Sequence, residues 1–195
     1  KTITCGEGGM IVTNSKNLSD KARSLKNLSY GEKNKFIHDD IGFNYRLPNI
    51  SAAIGLAQLG KIKEILTEKN RIYNRYKKNL ENLKGIKIPI IKEWTTKYIM
   101  WVFNLYLDES FPVSRDDLVN KLKGKNIETR NAFVPINKQP VLIRKYGLFD
   151  EKECPNANYI METGFYLPSG NNITNEEIDY VCNEIKQISQ LSLNK

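Results

Sequence analysis

The chain has 195 residues and carries 30 Lys and Arg against 22 Asp and Glu, a net charge of +8, with 40% hydrophobic residues. Its longest apolar runs, such as MIVT and YIMWVF, are too short to cross a bilayer, and its lysines are interleaved with Glu and Asn along the whole length. That excludes a membrane-spanning helix and favours a solvated surface over a nucleic-acid footprint as the meaning of the charge.

The opening KTITCGEGGM puts a lysine directly before a glycine-rich turn. Glycines at this density permit positive φ and close backbone approach to a bound group. A lysine held beside such a turn can serve as an amine nucleophile on a carbonyl. The stretch is not a P-loop, because the lysine precedes the glycines. Met10 to Thr13 is short and β-branched and is expected to form a strand. Asn17 to Leu28 carries Leu18, Ala22, Leu25 and Leu28 at helical spacing. Ser29 to Asp40 is a polar loop holding the single histidine, His38.

Gly42-Phe43-Asn44-Tyr45-Arg46-Leu47-Pro48 then sets an amide, a phenol and a guanidinium before a periodic segment. Such a set can grip a phosphate, and it can equally cap local backbone. From 49 to 83 the apolar positions, with Lys69 among them, follow a 3.6-residue period, which predicts one helix ended by Gly85. Small residues Ala52, Ala53, Gly55 and Ala57 predict close approach of another backbone there.

Beyond Gly85 the pattern predicts a small α+β unit. Strands are expected over 86–91, 98–107 and 127–133, and helices from Ser114 to Gly124, over 141–146 and over 155–163. A last helix is expected behind the capping box Thr174/Glu177. Glu128 to Pro140 runs from strand into a proline-bracketed polar turn, a place for substrate contacts or a plain edge strand. Cysteines 5, 154 and 182 are odd in number and widely spaced, with no CxxC. They predict neither a disulfide framework nor a zinc site, and they suit a cytoplasmic protein.

Four stretches in this order, KTITCGEGGMIVTN, GFNYRLPNISAAIGLAQL, IETR with PINKQP, and YLPSG with NITNEEIDYVCNEI, resemble the C-terminal part of the DegT/DnrJ/EryC1/StrS family of pyridoxal-phosphate sugar aminotransferases. The resemblance covers nearly the whole chain. It implies an α/β protein: the C-terminal portion of a type I, aspartate-aminotransferase-like fold. Residues 1–48 would end the large cofactor domain, 49–85 would be a long linking helix, and 86–195 would be the small α+β domain. Lys1 would be the Schiff-base lysine for pyridoxal 5′-phosphate. Asn44 and Arg46 would bind the cofactor, reaching a neighbouring subunit in a homodimer with shared active sites. His38, Tyr45 and Asn137 are the substrate candidates, although Asn137 stands where the family pattern has histidine.

The function implied is transfer of an amino group from an amino acid, typically glutamate, to a nucleotide-linked keto-sugar for surface polysaccharide. Within the family, the ending and the RNAFVPINKQP stretch resemble perosamine-synthase-like 4-aminotransferases. UDP- and dTDP-sugar enzymes are rivals, and Lys1 argues against the dehydratase subgroup that has histidine there. The acid for the pyridine nitrogen, the stacking aromatic and the Ser/Thr phosphate ligands would precede the lysine, so this chain is expected to be part of a longer enzyme. Two other classes compete: a cofactor-free interaction or structural module, and a basic nucleic-acid binder.

Overall fold

The computed structural model describes residues 1–34, 36–147 and 154–191. The chain divides into two compact units, Lys1–Lys63 and Glu64–Lys195.

In the first unit, α1 spans Lys16–Lys26, and Ser15 caps it by accepting from the Leu18 N–H at 3.4 Å. Leu28 and Ser29 then take left-handed φ values of 66° and 48°, which turns the chain back on itself. The returning run hydrogen-bonds to the end of α1: Phe43 N–H to Leu25 O at 2.7 Å, Leu28 N–H to Phe43 O at 3.0 Å, and Tyr45 N–H to Lys26 O at 2.9 Å. Met10 to Thr13 is not a strand. A strand needs an edge to pair with, and among the described residues none lies beside this segment. Met10, Ile11 and Val12 are exposed.

The single helix expected over 49–83 is instead two, α2 (Asn49–Gly60) and α3 (Ile62–Leu80). Gly60 is a poor helix residue, and Lys61 after it adopts φ −98°, ψ 10°, its N–H reaching Gln58 O and Leu59 O. The two helices also differ in texture. α2 buries no residue although it is apolar nearly all round, whereas α3 buries Lys69, Ile72, Tyr73, Tyr76 and Leu80 along one stripe.

The second unit is built on a four-stranded antiparallel sheet. Its strands are β1 (Ile86–Lys87), β2 (Phe103–Leu107), β3 (Arg130–Asn131) and β4 (Gly164–Leu167), in the order β1-β2-β4-β3. The three expected strands are present but shorter. β4 was not anticipated, because Gly-Phe-Tyr-Leu is a brief apolar run wedged between a helix and Pro168. Helices α4 (Arg115–Lys123), α5 (Pro140–Tyr146), α6 (Pro155–Thr163) and α7 (Asn175–Leu191) complete the unit.

Alternation along β2 and β4 sends Phe103, Leu105, Leu107, Phe165 and Leu167 into one core. They join Ile72, Tyr76 and Leu80 of α3, Leu118 and Leu122 of α4, and Ile178 and Ile185 of α7. The caps follow the sequence signals. Ser114 Oγ accepts from Asp117 N–H at 3.1 Å. Thr174 and Glu177 form a reciprocal capping box at 2.8 and 3.1 Å.

α3 is fastened by polar contacts as well. Arg75 pairs with Asp179 of α7, and the Tyr76 hydroxyl donates to Pro168 O at 2.9 Å. Lys69, only 6% exposed, donates its amine to Ser169 O at 2.6 Å and Trp101 O at 3.2 Å. Among the described residues no helix is long and apolar enough to cross a membrane, and no group of His, Cys, Asp and Glu could hold a metal.

Candidate active site

In the first unit the glycine-rich opening and the Asn44–Pro48 run come together. Gly6 has φ +81°, a left-handed conformation that suits glycine. The turn it makes folds Cys5 back over Gly8. A Cβ placed on Gly8 would stand 2.7 Å from Cys5 Sγ and 3.4 Å from Leu47 Cδ1. On the other side, a Cβ on Gly55 of α2 would touch Cys5 Cβ at 3.4 Å. The small-residue stripe of α2 therefore serves, at Gly55, as a seat for the opening turn. This contact was legible as a need for close approach, but its partner was not.

Lys1 is exposed and stands five residues ahead of Gly6. Asn44 forms an isolated bridge with Asn27, so its backbone is tied to the end of α1. Arg46 Nε donates to Asn44 Oδ1 at 3.0 Å. That bond fixes the amide, so that Asn44 offers Nδ2 as a donor and Arg46 keeps its terminal guanidinium nitrogens. Tyr45 is exposed, and its ring stacks on Phe43 with centroids 5.1 Å apart.

His38 lies in the loop of the same clasp. It is bridged to Tyr30 and its Nδ1 lies 2.7 Å from Leu28 O. The far end of that loop is pinned by Asp40. Hydrogen bonds from Lys21 and from the Ile41 N–H at 2.8 Å hold its carboxyl below the usual carboxylate range. Gly42 explains why the clasp closes so tightly: a Cβ there would lie 2.3 Å from the Leu28 carbonyl carbon and 2.4 Å from Ser29 N.

Asn137 belongs to the second unit, in a 3₁₀ turn over Ile136–Lys138. It is 9% exposed, and its Nδ2 donates to Asn158 Oδ1 at 3.0 Å, so its amide is engaged in packing that turn against α6. Sequence reasoning overlooked the aromatic group of Trp101, Phe133 and Tyr166, whose rings neighbour one another with centroids 6.1 and 6.3 Å apart. These residues lie far apart in sequence, and the pairing of both β2 and β3 with β4 gathers them. None of the three cysteines is disulfide-bonded, and burial pushes the Cys182 thiol up to about 12.

The fold is one that solved sugar aminotransferases share. The chain superposes on Helicobacter pylori PseC, an aminotransferase involved in the biosynthesis of pseudoaminic acid, with a TM-score of 0.85 at 20% identity, over 98% of this chain and 51% of that one. Residues 1–186 match the DegT/DnrJ/EryC1/StrS aminotransferase family, and the chain belongs to it. Among curated proteins it is 36% identical to a GDP-perosamine synthase of Escherichia coli O157:H7 over 187 residues, 96% of this chain and 49% of the relative. A GDP-perosamine synthase of Vibrio cholerae is also 36% identical, over 188 residues, 95% of this chain and 49% of the relative. The chain thus spans about half the length of the curated relatives it matches.

Proposed function

We propose that the intact protein is a pyridoxal-phosphate-dependent aminotransferase that moves an amino group from glutamate to a GDP-linked 4-keto-6-deoxy sugar, for surface-polysaccharide synthesis in the cytoplasm. The carrying observation is the match of residues 1–186 to the DegT/DnrJ/EryC1/StrS aminotransferase family, with the lysine-led glycine turn and the Asn44–Pro48 donor segment both present in the first unit. The choice of a GDP-sugar rests on the 36% identity to two GDP-perosamine synthases over almost the whole chain.

The residues present fit the cofactor. Its aldehyde calls for a primary amine, and its phosphate calls for several N–H donors. Lys1 supplies the amine, Asn44 Nδ2 a neutral donor, and Arg46 a charged fork whose Nε already orients Asn44. When bound, pyridoxal phosphate supplies the electron sink for charge at the donor's α-carbon.

Lys1 Nζ would first hold the cofactor and then, once displaced by the donor amine, carry a proton from that α-carbon. Asn44 and Arg46 would anchor the phosphate end of the cofactor held by a neighbouring subunit, so that the lysine there meets the same carbon at each turnover. His38 and Tyr45 lie on the same clasp as Asn44 and are proposed at the substrate entrance. Residues 1–48 would close the cofactor domain, and residues from 86 onward would form the small domain.

The exposure of Ile50, Ile54, Leu56 and Leu59 on α2 supports a homodimer in which this apolar helix is covered. Incubating the intact protein with cofactor, glutamate and a GDP-4-keto-6-deoxy sugar tests the reading, with 2-oxoglutarate and the amino-sugar as products. Lys1→Ala should abolish both. Equal turnover by that variant would refute the role given to Lys1.

A further inference from the structure

A groove of about 350 Å³ lies in the second unit, lined by Tyr73, Lys77 and Glu81 on one side and by residues 86–91 on the other. None of these residues has a part in the amine chemistry. Tyr73, Lys77 and Glu81 stand four apart, so they share one face of α3 and of the turn that continues it, where the Glu81 N–H donates to Lys77 O at 2.8 Å. Gly85, at φ +83°, then reverses the chain close against Phe111. Ile86 and Lys87 pair with β2, and Ile88, Ile90 and Ile91 run on as an apolar wall.

Three polar groups of this groove are left over by the fold. The Tyr73 ring is held by Tyr98 and Phe103, with centroids 5.3 and 5.8 Å away, and the residue is 9% exposed. Its hydroxyl has no hydrogen-bond partner among the described residues, whereas that of Tyr76 has Pro168 O. A buried hydroxyl left unpaired costs free energy until something bonds it. Burial first, and the Glu81 charge second, raise the Tyr73 phenol above its ordinary value, so at neutral pH it is a donor. Lys77 Nζ and Glu81 Oε2 are 3.8 Å apart, beyond hydrogen-bond reach. An ammonium and a carboxylate thus stand side by side with bonding capacity to spare. Lys87, by contrast, is taken by Asp108 at 3.0 Å.

A lone anion in this groove would meet Glu81, and a lone cation would meet Lys77. A ligand carrying both charges side by side escapes both penalties, and the isoleucine wall calls for an apolar body next to them. We propose that the groove binds a free α-amino acid with an apolar side chain. Its carboxylate pairs with Lys77 and accepts from the Tyr73 hydroxyl, its ammonium pairs with Glu81, and its side chain lies against Ile88, Ile90 and Ile91. The site rests on the second unit alone and is independent of the function proposed above.

The test is isoleucine-methyl NMR of the intact, cofactor-loaded protein titrated with L-leucine, 4-methylpentanoate and 3-methylbutylamine. Leucine should shift Ile88, Ile90 and Ile91 saturably and leave Ile178 and Ile185 of the core unmoved. The two analogues each lack one charge and should bind about 10- to 150-fold more weakly, the range for one charged hydrogen bond. Tyr73→Phe should weaken leucine at an unchanged melting temperature, because its hydroxyl has no partner to lose. Glu81→Gln should weaken leucine without weakening 4-methylpentanoate. No shift at the three methyls up to about 10 mM leucine, enough to fill a millimolar site, would overturn the proposal. Shifts confined to the first unit would also overturn it, as leucine would then occupy the cofactor site alone and the aminotransferase reading would stand. Equal affinity for leucine and 4-methylpentanoate, or full leucine affinity in Tyr73→Phe, would show a groove that does not read the amino acid's charges and would overturn it too.

Discussion

Gly42→Ala is the sharpest probe of how the fold presents Asn44. The added Cβ would lie 2.3 Å from the Leu28 carbonyl carbon, 2.4 Å from Ser29 N and 2.7 Å from Leu28 Cα. All three are backbone atoms, so no side chain can swing aside. Carbon atoms settle at roughly 3.5–4.0 Å, so the two strands of the clasp must part by about 1 Å. At that separation the bonds joining Leu28 to Phe43, Phe43 to Leu25 and Tyr45 to Lys26 cannot all survive. Loss of two of them at about 1 kcal/mol each, plus at least about 1 kcal/mol of overpacking, gives a local cost of about 3 kcal/mol.

The assay is hydrogen exchange of the Leu28, Phe43 and Tyr45 amides in the intact protein. A cost of 3 kcal/mol predicts exchange roughly 100-fold faster there. Amides of α4 and α7 should keep their protection. Gly60→Ala is the matched control, because a Cβ at Gly60 meets nothing within 4 Å, and it should be neutral or slightly stabilising. Exchange in Gly42→Ala within threefold of the parent would show that the clasp is not set by this contact.

Three further outcomes are expected. Ser169→Ala removes the hydroxyl that accepts from the Phe103 N–H at 2.9 Å and donates to Leu167 O at 2.7 Å. Leaving that buried N–H orphaned should cost about 1–3 kcal/mol in chemical denaturation, and a loss below 0.5 kcal/mol, on the order of measurement error, would contradict it. Burial pushes the Lys69 amine below its ordinary 10.5. The folded chain therefore binds fewer protons than the unfolded chain between that lowered value and 10.5, and its stability rises with pH across the window. Lys69→Met should remove this rise, so the melting temperature of the parent minus that of the variant should climb towards pH 10.5; a flat difference would count against it. Asn44→Ala should weaken cofactor retention in dialysis without altering the melt of the second unit, and unaltered retention would remove Asn44 from the phosphate site.

The second unit was readable because its helices announce themselves locally. Ser114, Thr174 and Glu177 cap where the sequence says they should, and the α3 stripe correctly included Lys69, whose place among apolar positions matched its burial. The sheet was less legible. β1 and β3 pair over only two residues each, so strand length is set by the partner rather than by the local run. β4 is a four-residue element that follows α6 without a break, so its start carries no signal.

The first unit was the hardest to read. Met10 to Thr13 has strand composition but no edge among the described residues, and α2 has helix composition but no buried face. Propensity reports what a segment can form, whereas pairing and burial report what it meets. In the first unit, Lys1, Asn44 and Arg46 could be picked out as candidates because their residue types carry chemistry. Gly55 was legible as a point of close approach but its partner Cys5 was not, and in the second unit Trp101 and Phe133 were missed, since their neighbours are set by strand pairing rather than by local sequence.

The most direct measurement is peptide mass mapping of the intact protein after incubation with pyridoxal phosphate and borohydride reduction. The account predicts one phosphopyridoxyl group, on the Nζ of Lys1, that is lost in Lys1→Ala and retained in Gly60→Ala. A reduced adduct on any other lysine, with Lys1 unmodified, would contradict it.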